Sequence, residues 1–221
     1  MTTNEYINLL SNNNIDELHK QIQYDKNNIL IVQLRGLGDF ICVTPVLKAL
    51  HNLEPNVNII FLCYNDIKDL VEDYPYINKV ISINDYLKDT DLKNINLKNI
   101  DYLKLIPLIK EILYTGFINK AINISSDLNE LANIILYLSA AKNRIAEKIF
   151  INAQSNIVDE SVNNKLLTDI LDIPDMHTID KNMYFLNYLY NQNFYPKLEW
   201  LINKKDYINI EKKIIFSIGS V

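Results

Sequence analysis

Hydrophobic positions along this chain change period several times, and each change marks an element. Residues 29–34, Ile-Leu-Ile-Val-Gln-Leu, form an aliphatic, β-branched run that predicts a buried strand. Arg35-Gly36-Leu37-Gly38-Asp39 interrupts it, and an apolar-periodic segment follows that predicts a helix with Val46, Leu47 and Leu50 toward the core. That helix has two candidate starts. Asp39 is one cap; Thr44-Pro45, with Thr at the N-cap and Pro at the first helical position, is the other. A proline deep inside one helix loses the bond to the carbonyl of Ile41, so the pattern predicts a short turn at 39–43 and a kink or restart at Pro45.

The same reading continues along the chain. Ile15, Leu18 and Ile22 after Asn14 predict a short amphipathic helix, free either to pack on the domain or to serve as an interaction arm. Residues 56–63 predict a second strand, 66–72 a short helix, 75–78 a turn and 79–83 a third strand. Residues 84–100 read as a loop. Residues 102–114 read as a helix with Leu105, Leu108, Ile109 and Ile112 on one face, closed by Gly116 at C′. Residues 120–124 predict a fourth strand, Asp127 a cap for a helix running through Leu138, and 143–146 a fifth strand. A helix over 162–171, stopped at Ile173-Pro174, and an aromatic-rich helix ending at Tyr190 complete the periodic part. Residues 191–198 read as a linker, and Ile214 to Gly219 as a strand running into a glycine turn. Strands alternating with helices imply an α/β fold: a Rossmann-like parallel sheet flanked by helices. The boundaries are a helical extension at 1–26, the α/β domain at 27–190, and a linker with one further strand at 191–221.

Composition narrows the function classes. The chain has 221 residues, 48% of them hydrophobic, enough for a full core. Its net charge is −5 and its basic residues are dispersed, which argues against a nucleic-acid partner. The abundance of Asn, Ile, Lys and Tyr reads as codon bias. Cys42 and Cys63 lie in apolar contexts and read as buried thiols in a reducing compartment. The first residues lack a signal-peptide pattern, and no apolar run reaches the ~18 residues of a membrane span. A cytoplasmic protein is expected.

The candidate chemistry gathers at one turn. Two of the chain's four glycines fall in Arg35-Gly36-Leu37-Gly38-Asp39. Glycine is placed where φ is positive or where a ligand or second backbone comes close. A strand, a glycine turn and a helix N-terminus make a site at the carboxyl edge of a parallel sheet. The turn is not a dinucleotide fingerprint, because Ile41 stands where the third glycine belongs. His19 and His51 have no acidic or cysteine partners at ligand spacing, so no metal site is expected. His177, before a helix, reads as a structural hydrogen-bonder, and Tyr184, Phe185, Tyr188 and Tyr190 as packing residues.

With these blocks in order, the chain resembles the family 9 glycosyltransferases, whose best-known members are the ADP-heptose:lipopolysaccharide heptosyltransferases. The resemblance rests on Ile29 to Asp39 with Thr44 to Leu50, Pro55 to Leu62 with Tyr74 to Val80, Ala121 to Ile124 with Ala141 to Ile145, and His177 to Asn182. It implies the N-terminal, acceptor-side half of a GT-B architecture, with Ile214 to Ser220 as the first strand of a truncated donor domain and Gly219 as its donor-side turn. The implied reaction is inverting transfer from a nucleotide-sugar such as ADP-heptose, with no other cofactor, to a glycan or glycolipid acceptor at the inner membrane face. Asp39 is the implied general base; Arg35, Gly36, Leu37 and Gly38 are the implied substrate contacts. Where the family often has a basic residue, this chain has Gln33. Where an Asp is common, it has Asn123. Where His-Pro is common before the donor-side Gly, it has Ser217-Ile218. Without a donor domain the chain is expected to be inactive alone. The alternative is a non-catalytic binding domain, or a split half-enzyme that pairs with a separate donor half.

Overall fold

The computed structural model describes residues 1–10, 14–24, 27–87, 102–125, 130–148 and 165–196. The expected cap at Asp127, the expected donor-side turn at Gly219, and the expected strand and end of the linker beyond residue 196 lie outside the described residues.

The expected strands form, in chain order, β1 (Asn28–Val32), β2 (Asn58–Cys63), β3 (Lys79–Ser82), β4 (Lys120–Asn123) and β5 (Asn143–Glu147), with one more, β6 (Asp169–Leu171). All six pair in parallel in the order β3-β2-β1-β4-β5-β6. Their residues are apolar on both faces because helices cover both faces. One core joins Leu30, Val32, Ile60, Leu62 and Ala121 to the helices α5 (Ile106–Ile112) and α6 (Glu130–Leu138). The other joins Ile29, Ile31, Ile59, Phe61 and Ile122 to α3 (Leu37–Leu53), α4 (Asn65–Glu72) and the last helix, α7 (Thr178–Tyr190).

Three expectations need correction. Of the helix expected over 162–171, residues 165–166 are helical and 162–164 lie outside the described residues, but its end is the strand β6, pairing Ile145 with Asp169 and Glu147 with Leu171. A short apolar run has no decisive period, and pairing with the exposed edge of β5 settles it. The region 102–114 is α-helical only over Ile106–Ile112, with tighter 3₁₀ turns on each side, and Gly116 ends it at φ 119°. The predicted break at Pro45 is absent: α3 runs unbroken from Leu37 to Leu53. The carbonyl that Pro45 strands is satisfied by its neighbour, since Thr44 Oγ1 donates to Ile41 O at 2.7 Å. Asn182 Nδ2 donates to the next carbonyl, Cys42 O, at 3.0 Å, and Tyr74 Oη donates to Thr44 O at 3.1 Å. Side chains replace what the proline removes, so the helix continues.

The first residues pack on the domain. The sequence reading missed α1 (Thr3–Leu9), which begins with a capping box between Thr2 and Glu5. Helix α2 (Ile15–His19) is capped by Asn14 as expected. Tyr6 is fully buried and donates to Leu138 O at 2.9 Å, while Tyr24 donates to Ala140 O at 2.8 Å. The acceptors lie at the end of α6 and in the turn that leads from it into β5, at the amino edge of the sheet.

That amino edge is densely bonded. Asn28 Nδ2 donates to Phe117 O at 3.0 Å, and Asn58 Nδ2 donates to Asn28 Oδ1 at 2.9 Å and to Thr115 Oγ1 at 3.1 Å. Ile59 N donates to Asn78 Oδ1 at 2.8 Å. Glu54 pairs with Lys120 at 2.5 Å and also accepts from Asn27 and Tyr190. These asparagines stand at strand starts and hold neighbouring strands in register, a structural use that codon bias alone does not describe.

Candidate functional site

The order of strands reverses direction between β1 and β4, which both run beside each other and send their following helices to opposite faces. A crevice opens outside the carboxyl ends of such a pair. Arg35 to Asp39 lies there, directly after β1.

Local packing fixes this turn. The backbone of Gln33 still pairs with β2, donating to Leu62 O at 2.9 Å. Leu34 N donates to Ser125 Oγ at 2.8 Å, across to the end of β4. Ser125 is itself set by Asn123, whose Oδ1 accepts from Ser125 N at 3.1 Å and whose Nδ2 donates to Asn133 Oδ1 at 2.9 Å. All three of these polar residues are buried. Asn123 thus orients the crevice wall, and Ser125 clamps β1 to β4 where the two loops part. The sequence reading passed over Ser125; a serine two residues past a buried strand was its only signal.

On the other side Phe40 anchors the turn. It is fully buried, edge-on to Phe61 with centroids 5.6 Å apart and to Tyr74 at 5.7 Å. With Phe40, Val43, Thr44 and Leu47 facing inward, the first turn of α3 presents Leu37, Gly38 and Ile41 outward. Leu37 is 49% exposed and Ile41 38%, an apolar flank one helical turn apart.

Asp39 is half-buried and sits three residues after the N-cap. It does not cap the helix. Gly36 is the N-cap, at φ −78°, and no side chain bonds the free N–H groups there. Among the described residues the Asp39 carboxylate accepts no hydrogen bond and makes no ion pair. Its charge does reach Cys42: burial first, then Asp39, pushes the Cys42 thiol above its ordinary range. Cys42 is half-buried, not buried as expected, and Cys63 is fully buried with its thiol pushed up to about 12 by burial. Both are free, which suits inert packing rather than redox chemistry.

The two glycines are informative by elimination. Gly116 is the described glycine with positive φ; Gly36 and Gly38 are not. A Cβ built on either would meet nothing within 4 Å. Neither positive φ nor packing against the described residues requires glycine here. Arg35, half-buried, stands at the start of the same turn.

The remaining candidates are structural. His177 caps α7, its Nδ1 accepting from Ile179 N at 3.3 Å. Asn182 ties α7 to α3, and Lys181 pairs with Glu147 at 3.4 Å. Phe185 is core, Tyr188 donates to Asp169 and Tyr190 to Glu54. Among the described residues no cluster of three His, Cys, Asp or Glu side chains could hold a metal ion, and no helix is long and apolar enough to cross a membrane.

One buried polar atom at the site lacks a partner. Gln33 is fully buried, its Nε2 reaches Gly36 O at 3.5 Å, and its Oε1 has no hydrogen-bond partner among the described residues. An orphaned buried acceptor costs about 1–3 kcal/mol.

No protein-family model matches this sequence, and no curated protein matches it by sequence. Solved structures do match it by shape. A glycosyl transferase family 9 structure from Veillonella parvula matches with a TM-score of 0.56 and 20% identity, over 76% of this chain and 42% of that one. The E. coli heptosyltransferase WaaC with ADP matches with a TM-score of 0.51 and 10% identity, over 75% of this chain and 48% of that one. The same enzyme with ADP-2-deoxy-2-fluoro heptose gives 0.50. The chain therefore spans less than half the length of these structures. Over about three-quarters of its own length, it has the α/β fold of the family 9 glycosyltransferase structures.

Proposed function

We propose that this chain provides the acceptor-side half of an inverting glycosyltransferase of the GT-B kind, similar to the heptosyltransferases. The observation that carries the reading is Asp39: a half-buried carboxylate beside two uncrowded glycines, at the switch point of the sheet, with no hydrogen bond or ion pair among the described residues. The fold shared with nucleotide-sugar-using enzymes supports it.

The reaction follows from the chemistry such a carboxylate can do. An acceptor hydroxyl lies over Gly36 and Gly38, where no side chain intervenes. It attacks the anomeric carbon of the donor as Asp39 takes its proton. The bond from that carbon to the diphosphate oxygen breaks on the opposite face, which inverts the centre. A positioned base of this kind typically contributes ~10²–10⁴-fold to rate. Leu37 and Ile41 offer an apolar flank to a sugar face or glycolipid, and Arg35 meets anionic groups on the acceptor. The leaving diphosphate needs cationic or N–H groups facing it. In this reading they come from a second, nucleotide-binding domain outside residues 1–196, which supplies the other wall of the cleft. The nucleotide-sugar, of the ADP-heptose type, is a co-substrate, and the chemistry calls for no further cofactor. Two free thiols fit a cytoplasmic setting, with the glycolipid acceptor presented at the inner membrane face.

The test is transfer from nucleotide-sugars to a panel of glycolipid acceptors, with the 221 residues alone and joined to a donor domain. Transfer is expected only in the joined form. Transfer by the 221 residues alone, abolished by Asp39→Asn, would keep the base and remove the need for a second domain. Transfer that survives Asp39→Asn would remove the base.

A further inference from the structure

Two choices beside Asp39 each weaken the fold. Gly38, in the first turn of α3, gives the unfolded chain extra freedom that the folded backbone does not use, since its φ is not positive and no described residue crowds it. Gln33 places a carboxamide between the buried apolar residues Val32 and Leu34, with its oxygen unpaired among the described residues. A methionine would fill the same volume without that cost. Both fall within six residues, and the Gln33 amide reaches the carbonyl of Gly36.

We propose that Gln33 is a positioning residue for the turn that carries Asp39. Its Nε2 reaches Gly36 O at 3.5 Å. That carbonyl also accepts Phe40 N at 3.2 Å, the first hydrogen bond of α3. Gln33 therefore acts on the carbonyl that sets where the helix begins and where Asp39 stands. Its backbone is held to β2 by the bond of Gln33 N to Leu62 O. The two atoms of a carboxamide share one carbon, so the unpaired oxygen lies under the same turn. A long, single contact on one side and none on the other lets the turn settle when a ligand covers it. The neutral amide does this without adding charge beside Asp39.

The proposal takes the sugar-transfer reading for what the turn serves, but its first test does not depend on transfer. Gln33→Met keeps the length and removes both amide atoms. In this variant the thermal midpoint of the chain stays level or rises, while the Phe40 amide exchanges hydrogen about five- to tenfold faster. Gln33→Glu keeps the length and loses the donor, and it also speeds Phe40 exchange. A lower midpoint with faster exchange throughout β1 and α3 makes Gln33 an ordinary core residue and overturns the proposal. Unchanged Phe40 exchange overturns it as well. In the form joined to a donor domain, Gln33→Met lowers kcat and leaves the KM for the nucleotide-sugar unchanged. A change confined to that KM contradicts a role at Asp39. Should the joined form transfer no sugar, Proposed function fails while the exchange result still decides the role of Gln33.

Discussion

The amino edge of this sheet and the turn after β1 at its carboxyl edge use polar groups in opposite ways. At the amino edge nearly every polar side chain is spent on structure: Asn28, Asn58 and Asn78 bond across strands, Glu54 gathers Lys120, Tyr190 and Asn27, and Tyr6 and Tyr24 tie the first residues to the end of α6 and the turn before β5. Among the described residues, the turn after β1 at the carboxyl edge keeps an Asp39 without a hydrogen bond or ion pair, a Gln33 oxygen without a partner, a helix start without a side-chain cap and two glycines whose Cβ positions are uncrowded. What differs is satisfaction. A buried network with every member bonded rigidifies a fold, whereas unsatisfied groups lower stability and persist where something else uses them.

This contrast can be broken at the amino edge first, where the effects on stability are largest. Glu54→Gln leaves Lys120 partly buried without its charge partner and should cost about 3 kcal/mol, read as a thermal midpoint lower by several degrees. Asn28→Ala removes buried bonds to Phe117 and Asn58 and should cost about 2 kcal/mol in denaturant unfolding. Neither change should alter ligand binding at the turn; an effect there would erase the division between the edges.

The next effect is pH-dependent. His19 Nε2 lies 3.2 Å from the Tyr6 hydroxyl, its ring stacks edge-on to Tyr137, and Tyr137 donates to Asp16 at 2.8 Å. Burial, then the nearby Arg144 charge, lowers its pKa from 6.5 to about 4, with Asp16 opposing weakly. Between those values the unfolded chain binds a proton that the folded chain refuses. Stability from this group is therefore intact above pH 6.5 and lost as pH falls through 4. Stability measured from pH 7 to 4 should fall less steeply in His19→Gln than in the parent. Equal slopes would mean that His19 is solvated.

The smallest effect has the opposite sign. Gly38→Ala sits in the first turn of α3 with open space around its new Cβ, and should stabilise the chain by about 0.5 kcal/mol. In the transferase reading it also obstructs the acceptor. A gain in midpoint together with a loss of acceptor binding sharpens the contrast; destabilisation would show that the turn is crowded after all.

Much of this fold is legible in the sequence, for physical reasons. Buried parallel strands are long apolar runs, and β1 to β5 stand out because both faces are covered. The turn at Gly36 to Asp39 stands out because glycine is scarce here. What is hidden depends on partners distant in the chain. Residues 162–171 read as a helix, and only the edge of β5 makes Asp169–Leu171 a strand. Pro45 reads as a break, because nothing local reveals that Thr44, Asn182 and Tyr74 will serve the carbonyls around it. Asp39 reads first as a site residue and second as a cap, and the helix start at Gly36 removes the cap. The orphaned oxygen of Gln33 is a property of its surroundings, not of its neighbours in sequence.

The most direct test of the account is the rate of sugar transfer by Asp39→Asn in the form joined to a donor domain, taken with its thermal midpoint. The account predicts a rate lower by ~10²–10⁴-fold and a midpoint within about 2 °C of the parent, since only a weak interaction with the helix dipole is lost. An unchanged rate, with the midpoint lowered as for a lost helix cap, would contradict it.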